Sequence, residues 1–171
     1  VWKMSKTSES GTGMGGNPLK SAPRCCSGAT VHPEADFIEP QLIKFEKKVA
    51  AGAQFFQTQG VFDLASLRRF MQYASQFPVK ILAGIIVLAS ARMARYMNDN
   101  VPGIIVPQAT IDELAIVEKG KGLQKGIEIA ARLIKTVREE NLCHGVHIMA
   151  VGNEKIVPDI LEAAQPVSVP R

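Results

Sequence analysis

The sequence predicts an α/β fold in which a parallel sheet alternates with helices, in the pattern of half a (β/α)8 barrel. Three observations predict it. Short apolar runs alternate with amphipathic stretches through residues 24–165, in the order strand, helix, strand, helix, strand, helices, strand, helix. Such alternation implies parallel pairing through right-handed crossovers. Residues 80–87 form an almost unbroken apolar run, as in strands covered on both faces. Four strands can be counted, whereas a closed barrel of this type needs eight and about 250 residues. The chain has 171 residues, 46% of them hydrophobic and 21% charged, which suits a single globular domain and excludes a disordered one.

Residues 1–23 are rich in Ser, Gly, Thr and Lys, with little apolar periodicity, and are expected to form a flexible tail. Within them Gly11, Gly13 and Gly16 match G-x-G-x-x-G. That motif works only between a strand and a helix, where a pyrophosphate meets the helix N-terminus. No strand signal precedes it and Asn17-Pro18 follows, so no nucleotide site is expected there. The first strand is read at 25–31, ended by the turn His32-Pro33-Glu34. Pro40 suits the first position of a helix and Gly52 its stop, with Leu42, Phe45 and Val49 at helical spacing between them.

The next strand, 54–59, places Phe55, Gln57 and Gln59 on one face and Phe56 and Thr58 on the other. Asp63 can cap a helix over 64–76, whose Leu64, Leu67, Phe70 and Met71 form a core face. After Pro78 comes the strand at 80–87. A helix over 90–98, a short strand or extended segment at 103–106, a helical stretch near 110–118 and a loop at 119–122 follow. The long helix over 123–140 carries Ile127, Ala130, Ile134 and Val137 on one stripe. A strand at 145–151 and a helix at 155–164 complete the pattern, and residues 166–171 are expected to be loose.

The formal charge is +4, with Lys and Arg spread among Glu and Asp along helix surfaces. A nucleic-acid binder would gather them into a basic stripe with interleaved aromatics, so no nucleic-acid partner is expected. A mildly basic surface instead suits a small anionic ligand. Cys25 and Cys26 are adjacent, Cys143 stands alone and no C-x-x-C spacing exists, which points to reduced thiols. His144 and His147 neighbour Cys143, but strand alternation sends the two imidazoles to opposite faces, so no metal site is expected. The longest apolar stretch, 81–89, is about half of what a bilayer span requires. No apolar run of signal-peptide type stands near the N-terminus. The expectation is a soluble, cytoplasmic protein without a membrane partner.

Several motifs occur together: His32-Pro33-Glu34-Ala35, Lys47-Lys48-Val49, Ala51-Gly52-Ala53, and Gln57-Thr58-Gln59 with Val61-Phe62-Asp63 behind it. Together they resemble the methylenetetrahydrofolate reductase family. That family carries an H-P-E-A turn after its fifth barrel strand and a helix with K/R-K-V leading into D/E-A-G-A. Its sixth strand ends in T-Q, followed by an aromatic residue and Asp. The spacing from His32 to Gln59 fits without a gap. Ala83-Gly84-Ile85-Ile86 resembles the family's strand seven, and Gly145-Val146-His147-Ile148 its last strand. The run from Glu39 through Gln41 and Lys44 to Lys48 is similar to anaerobic and acetogenic-type members.

The resemblance implies the C-terminal half of a TIM barrel that holds FAD at the C-terminal ends of its strands. NADH or another donor would reduce the flavin. Hydride would then pass to 5,10-methylenetetrahydrofolate, giving 5-methyltetrahydrofolate for one-carbon and methionine metabolism. It assigns Gln59 to folate and nicotinamide, a role suited to an amide that donates and accepts at a strand end. It assigns His32 and Ala35 to the FAD site, together with the positions of Gln41, Lys44, Lys47 and Lys48. Lys48 matches the family's Lys and Lys47 is Arg in some members, while Gln41 and Lys44 replace Asp and Asn. Helical spacing of three and four places the three lysines on one face.

Two departures matter. Gly152-Asn153 stands where many members have Asn-Arg, so the cation that helps to hold folate is missing. The family's general-acid Glu lies in an F-E-F/I-x-P-P-K-like segment, and no such segment occurs here. No catalytic residue is therefore expected in this chain, which reads as a fragment of the enzyme; Glu34 and Glu39 are rim carboxylates without an assigned role. The alternative is a non-catalytic, barrel-like subunit. Half a barrel leaves two sheet edges with unpaired backbone, which a second copy or a partner subunit would cover.

Overall fold

A computed structural model describes residues 10–13, 15–22, 26–35 and 37–165. Residues 1–9 and 166–171 of the expected tails, and Cys25 of the expected first strand, lie outside the described residues. Among the described residues, four strands and six helices follow in the order β1 (Gly28–Val31), α1 (Ile38–Ala50), β2 (Phe55–Gly60), α2 (Leu64–Ala74), β3 (Lys80–Ile86), α3 (Ala91–Asn100), α4 (Gln108–Ala115), α5 (Gly122–Glu139), β4 (Gly145–Met149) and α6 (Val157–Ala163). A single 3-10 turn, Glu154–Ile156, leads into α6. The sheet order is β1-β2-β3-β4 and every pairing is parallel. All strands therefore end at one rim, the end at which βα folds of this type place their sites.

Helices α1, α2, α5 and α6 cover one face of the sheet. Phe56 of β2 meets Phe45 of α1 at 4.5 Å between ring centroids, and Phe45 meets Phe70 of α2 edge-on at 5.5 Å. Ile85 of β3 packs with Ile127, Ala130 and Ile134 of α5 and with Ile160 of α6. A second cluster lies beyond the rim, where Ile86 and Leu88 meet Met97, Ile104, Val106, Ile111 and Leu114. Helix α5 approaches the end of β3 so closely that a Cβ on Gly126 would overlap the Leu88 carbonyl oxygen.

Along β2 burial alternates as the sequence predicts, with Phe56, Thr58 and Gly60 buried and Phe55, Gln57 and Gln59 half-buried. One irregularity interrupts its pairing with β3: Leu82 opposes Gln57, yet Gly84 opposes Gly60. The Gly84 N–H donates to Thr58 Oγ1 at 2.8 Å, and that hydroxyl donates to the Gln59 carbonyl at 2.6 Å. A Cβ on Gly84 would stand 2.7 and 2.8 Å from the Thr58 and Gln59 carbonyl oxygens, so only glycine permits this approach.

Several boundaries differ from the sequence reading. The ladder of β1 begins at Gly28 rather than at 25. Helix α1 starts two residues ahead of Pro40, which then falls in the first turn, where a missing N–H has no helical acceptor to lose. Gly52, with φ +105°, ends the helix as expected, its N–H bonded to the Val49 carbonyl. Residues 103–106 are extended without joining the sheet. Both backbone groups of Val106 bond to the Asn98 side chain, at 2.7 and 3.0 Å. Strand β4 stops at Met149, because the Asn153 N–H turns back to the Ala150 carbonyl at 2.7 Å. Within the expected N-terminal tail, Leu19 bonds back to Gly11 and Thr12 bridges to Pro18, closing a turn. Among the described residues, no helix is long and apolar enough to cross a membrane.

Candidate functional site

Val31 opposes Thr58 at the end of β1, so His32, just past β1, and Gln59, near the end of β2, stand at the same rim. The turn after β1 and the N-terminal turns of α1 form one wall of a cavity of about 520 Å³, lined by His32, Glu34, Ala35 and Gln41. Residues 98–105, the end of α3 and the segment that leads from it toward α4, form the opposite wall. His32 packs against the backbone of Gly103, where a Cβ would stand 2.8 Å from Nδ1 and where φ is +82°. Glycine is needed at 103 on both counts.

The cations come from α1. Lys48, half-buried, donates its ammonium to the Thr30 carbonyl of β1 at 2.6 Å. Burial, followed by the Lys44 charge, lowers its proton affinity. The His32 imidazole is lowered as well, first by burial and then by Lys48 and Lys44, and so stays neutral near pH 7. Lys44 and Lys48, four residues apart, therefore act on one place. Lys47 is exposed and has no such contact. Gln59 does not line the cavity. It lies on the sheet face opposite the helices, and its amide makes no hydrogen bond to the described residues.

Glu34 is one of the two rim carboxylates, with Glu39, that the sequence left without a role. It is 7% exposed, and its Oε1 accepts from the Phe62 and Asp63 amides at 2.8 and 2.6 Å. Its Oε2 is buried and has no hydrogen-bond partner. Burial pushes the carboxyl up to about 7; the two amide bonds pull against that rise and the neighbouring Asp63 charge adds to it. A second cavity of about 260 Å³ lies on its other side, toward Ser66 and Arg69 of α2. The H-P-E-A motif named Glu34, but a polar residue in a turn carries no periodicity from which burial could be read.

The histidines near β4 serve the sheet. His147 Nε2 lies 3.0 Å from the Thr58 carbonyl, beside Gly84, and His144 Nδ1 accepts from the Ile81 N–H at 3.1 Å. Among the described residues, no three His, Cys, Asp or Glu side chains gather as a metal site would require. Asn153, where the family often has Arg, begins the 3-10 turn after β4.

A family model for methylenetetrahydrofolate reductase matches residues 24–165. The chain belongs to the methylenetetrahydrofolate reductase family. Among solved structures it is similar to an uncharacterised protein from Clostridium thermocellum that binds two copies of 5-methyl-5,6,7,8-tetrahydrofolic acid. The TM-score is 0.51 at 18% identity, and the match covers 80% of this chain and 52% of that one. The chain thus spans about half the length of that protein, and the shared feature is the fold: four parallel strands with helices, as in part of a TIM barrel.

Proposed function

We propose that this chain supplies the FAD- and folate-facing half of a methylenetetrahydrofolate reductase, reducing 5,10-methylenetetrahydrofolate to 5-methyltetrahydrofolate in cytoplasmic one-carbon and methionine metabolism. One observation carries it: His32, Ala35 and Gln41 gather on a single cavity beside Lys44 and Lys48, at the rim where Gln59 leaves β2. The volume suits a small-molecule site.

The residues present fit FAD. An ammonium fixed on a strand carbonyl, with a second one a helical turn away, suits a diphosphate, and Lys47 would add charge from the exposed flank. The neutral imidazole of His32 and the amide of Gln41 suit the polar edges of a ring system, and Ala35 leaves room for it. When bound, FAD would accept hydride from NADH or another donor and deliver it to the folate carbon. Gln59, donating through its NH2 and accepting through its carbonyl, would hold the folate ring edge. The folate bound by the structural neighbour supports that ligand class. The outer edges of β1 and β4 support completion of the barrel by a second copy or a partner subunit.

The test is a flavin titration, read by fluorescence and absorption, on the chain alone and on the chain mixed with an N-terminal half from a family member. Binding is expected in at least one setting, and Lys48→Ala weakens it by about tenfold or more, since a charge-assisted hydrogen bond is lost. Absence of flavin binding in both settings overturns the proposal. The open sheet edges favour one other reading, a non-catalytic subunit that only assembles with a partner. In that case Gln59→Ala leaves the partner's folate turnover unchanged; a loss of turnover rejects it.

A further inference from the structure

Strand β2 carries one more residue than β3 across its irregularity: Gln57 and Gly60 are three apart, whereas their partners Leu82 and Gly84 are two apart. A bulge of this kind takes backbone groups out of the ladder and re-aims a side chain, often beside a site. Gln59 lies inside it. Side chains meet the backbone groups that the bulge displaces. The Gly84 N–H donates to Thr58 Oγ1, and that hydroxyl donates to the Gln59 carbonyl. The Thr58 carbonyl, part of the peptide that precedes Gln59, lies 3.0 Å from His147 Nε2. A carbonyl only accepts, so Nε2 carries the hydrogen and donates it.

His147 belongs to β4 and reaches β2 across β3. It can do so because its register partner on β3 is Gly84, which has no side chain to stand in the way. A Cβ there would lie 2.9 Å from Nε2. Val146 and Ile148, on either side of His147, pack with the residues of α5 and α6, so the imidazole lies on the other face of the sheet. Gln59 lies on that same face. Both peptides that flank Gln59 are therefore held by side chains, the preceding one from β4 and the following one by Thr58.

We propose that His147 is a positioning residue for Gln59, holding, through the Thr58 carbonyl, the stretch of β2 from which the Gln59 amide meets folate. This rests on the reading above in which Gln59 binds folate. The role needs no contact between the imidazole and the ligand. An amide matches a ring edge in one orientation only, and a strand end that wanders lowers the fraction of chains competent to bind. Loss of the imidazole leaves the carbonyl of Thr58, a residue only 3% exposed, without its donor, and the bulge is free to rearrange.

The experiment is a double-mutant cycle on 5-methyltetrahydrofolate affinity, measured by calorimetry in whichever setting binds it, the chain alone or the chain with an N-terminal half from a family member. Gln59→Ala weakens binding about tenfold and His147→Ala about fivefold, the order that one neutral hydrogen bond supplies. In the Gln59→Ala background His147→Ala changes affinity by less than about twofold, because the residue it positions is gone. His147→Gln, whose amide N–H reaches about as far as Nε2, stays within about twofold of wild type. An equal loss in both backgrounds, which a merely structural role would give, overturns the inference and leaves the folate reading standing. So does unchanged binding in His147→Ala where Gln59→Ala weakens it. No effect of Gln59→Ala, or no folate binding in either setting, overturns both. A further readout needs no variant: nitrogen–proton correlation spectra of the wild-type chain at pH 8 show the His147 ring protonated at Nε2 and bare at Nδ1. The opposite tautomer overturns the inference.

Discussion

The folded chain without ligand already stores a pH dependence in Glu34. A free glutamate loses its proton near 4.5, whereas burial holds the Glu34 carboxyl at about 7 in the fold. Between those values the folded chain keeps a proton that the unfolded chain has released, so it binds more protons and its stability falls as pH rises. The contribution is complete below 4.5 and lost once the pH passes 7. A separation of roughly 2.5 between the two values corresponds to about 3 kcal/mol, a large share of the stability of a domain this size. Urea unfolding followed by far-UV circular dichroism at pH 5 and pH 8.5 measures it. Glu34→Gln is the control, because its amide oxygen can still accept the Phe62 and Asp63 N–H bonds while carrying no ionisable proton. The wild type should lose about 2.5 kcal/mol more than the variant between the two pH values, since part of the difference is already gone at pH 5. Equal losses in the two proteins would refute the assignment of that proton to Glu34.

Three substitutions test the frame of the site. Asp63→Ala removes the side chain that accepts from the Ala65 and Ser66 amides, and should cost about 1 kcal/mol in urea unfolding through loss of the α2 cap. Gly84→Ala drives a methyl group against two carbonyl oxygens of β2 that cannot swing away. It should cost about 1–3 kcal/mol and alter the amide proton shifts of Thr58 and Gln59. Asn98→Ala frees both backbone groups of Val106 and should loosen the wall at 103–106, read as faster hydrogen exchange there at a cost of about 1–3 kcal/mol.

The order of strands and helices was legible because apolar runs in buried parallel strands and one-sided helices leave periodic traces, as at residues 80–87 and along Ile127, Ala130, Ile134 and Val137. Helix starts were less so. Pro40 fits any position of a first turn, and α1 in fact begins two residues before it. The irregularity in β2 was not legible, because it arises from β3 lying close at Gly84, a tertiary fact. For the site, motif spacing named His32, Ala35 and Gln41 but not the wall they face, which comes from residues 98–105, far along the chain. Helical spacing grouped Lys44, Lys47 and Lys48, whereas His32 registers only Lys44 and Lys48. Strand β1 runs beside residue 48, and Lys48 alone has an acceptor within reach there.

Glu34 also explains how two strand ends come to serve one site. His32 and Gln59 leave neighbouring strands, yet strand ends diverge unless something ties the loops that follow. The Glu34 carboxyl does so: it sits two residues after His32 and bonds to the amides of Phe62 and Asp63, three and four residues after Gln59. Asp63 continues the chain of contacts by capping α2, so the turn after β1, the exit from β2 and the start of α2 are joined through two carboxyl groups. A neutral side chain can make these bonds as well as an anion only if one oxygen takes both amides, which is the arrangement found. The oxygen left over is buried without a hydrogen-bond partner among the described residues. The rim is thus held together by a single buried carboxyl group.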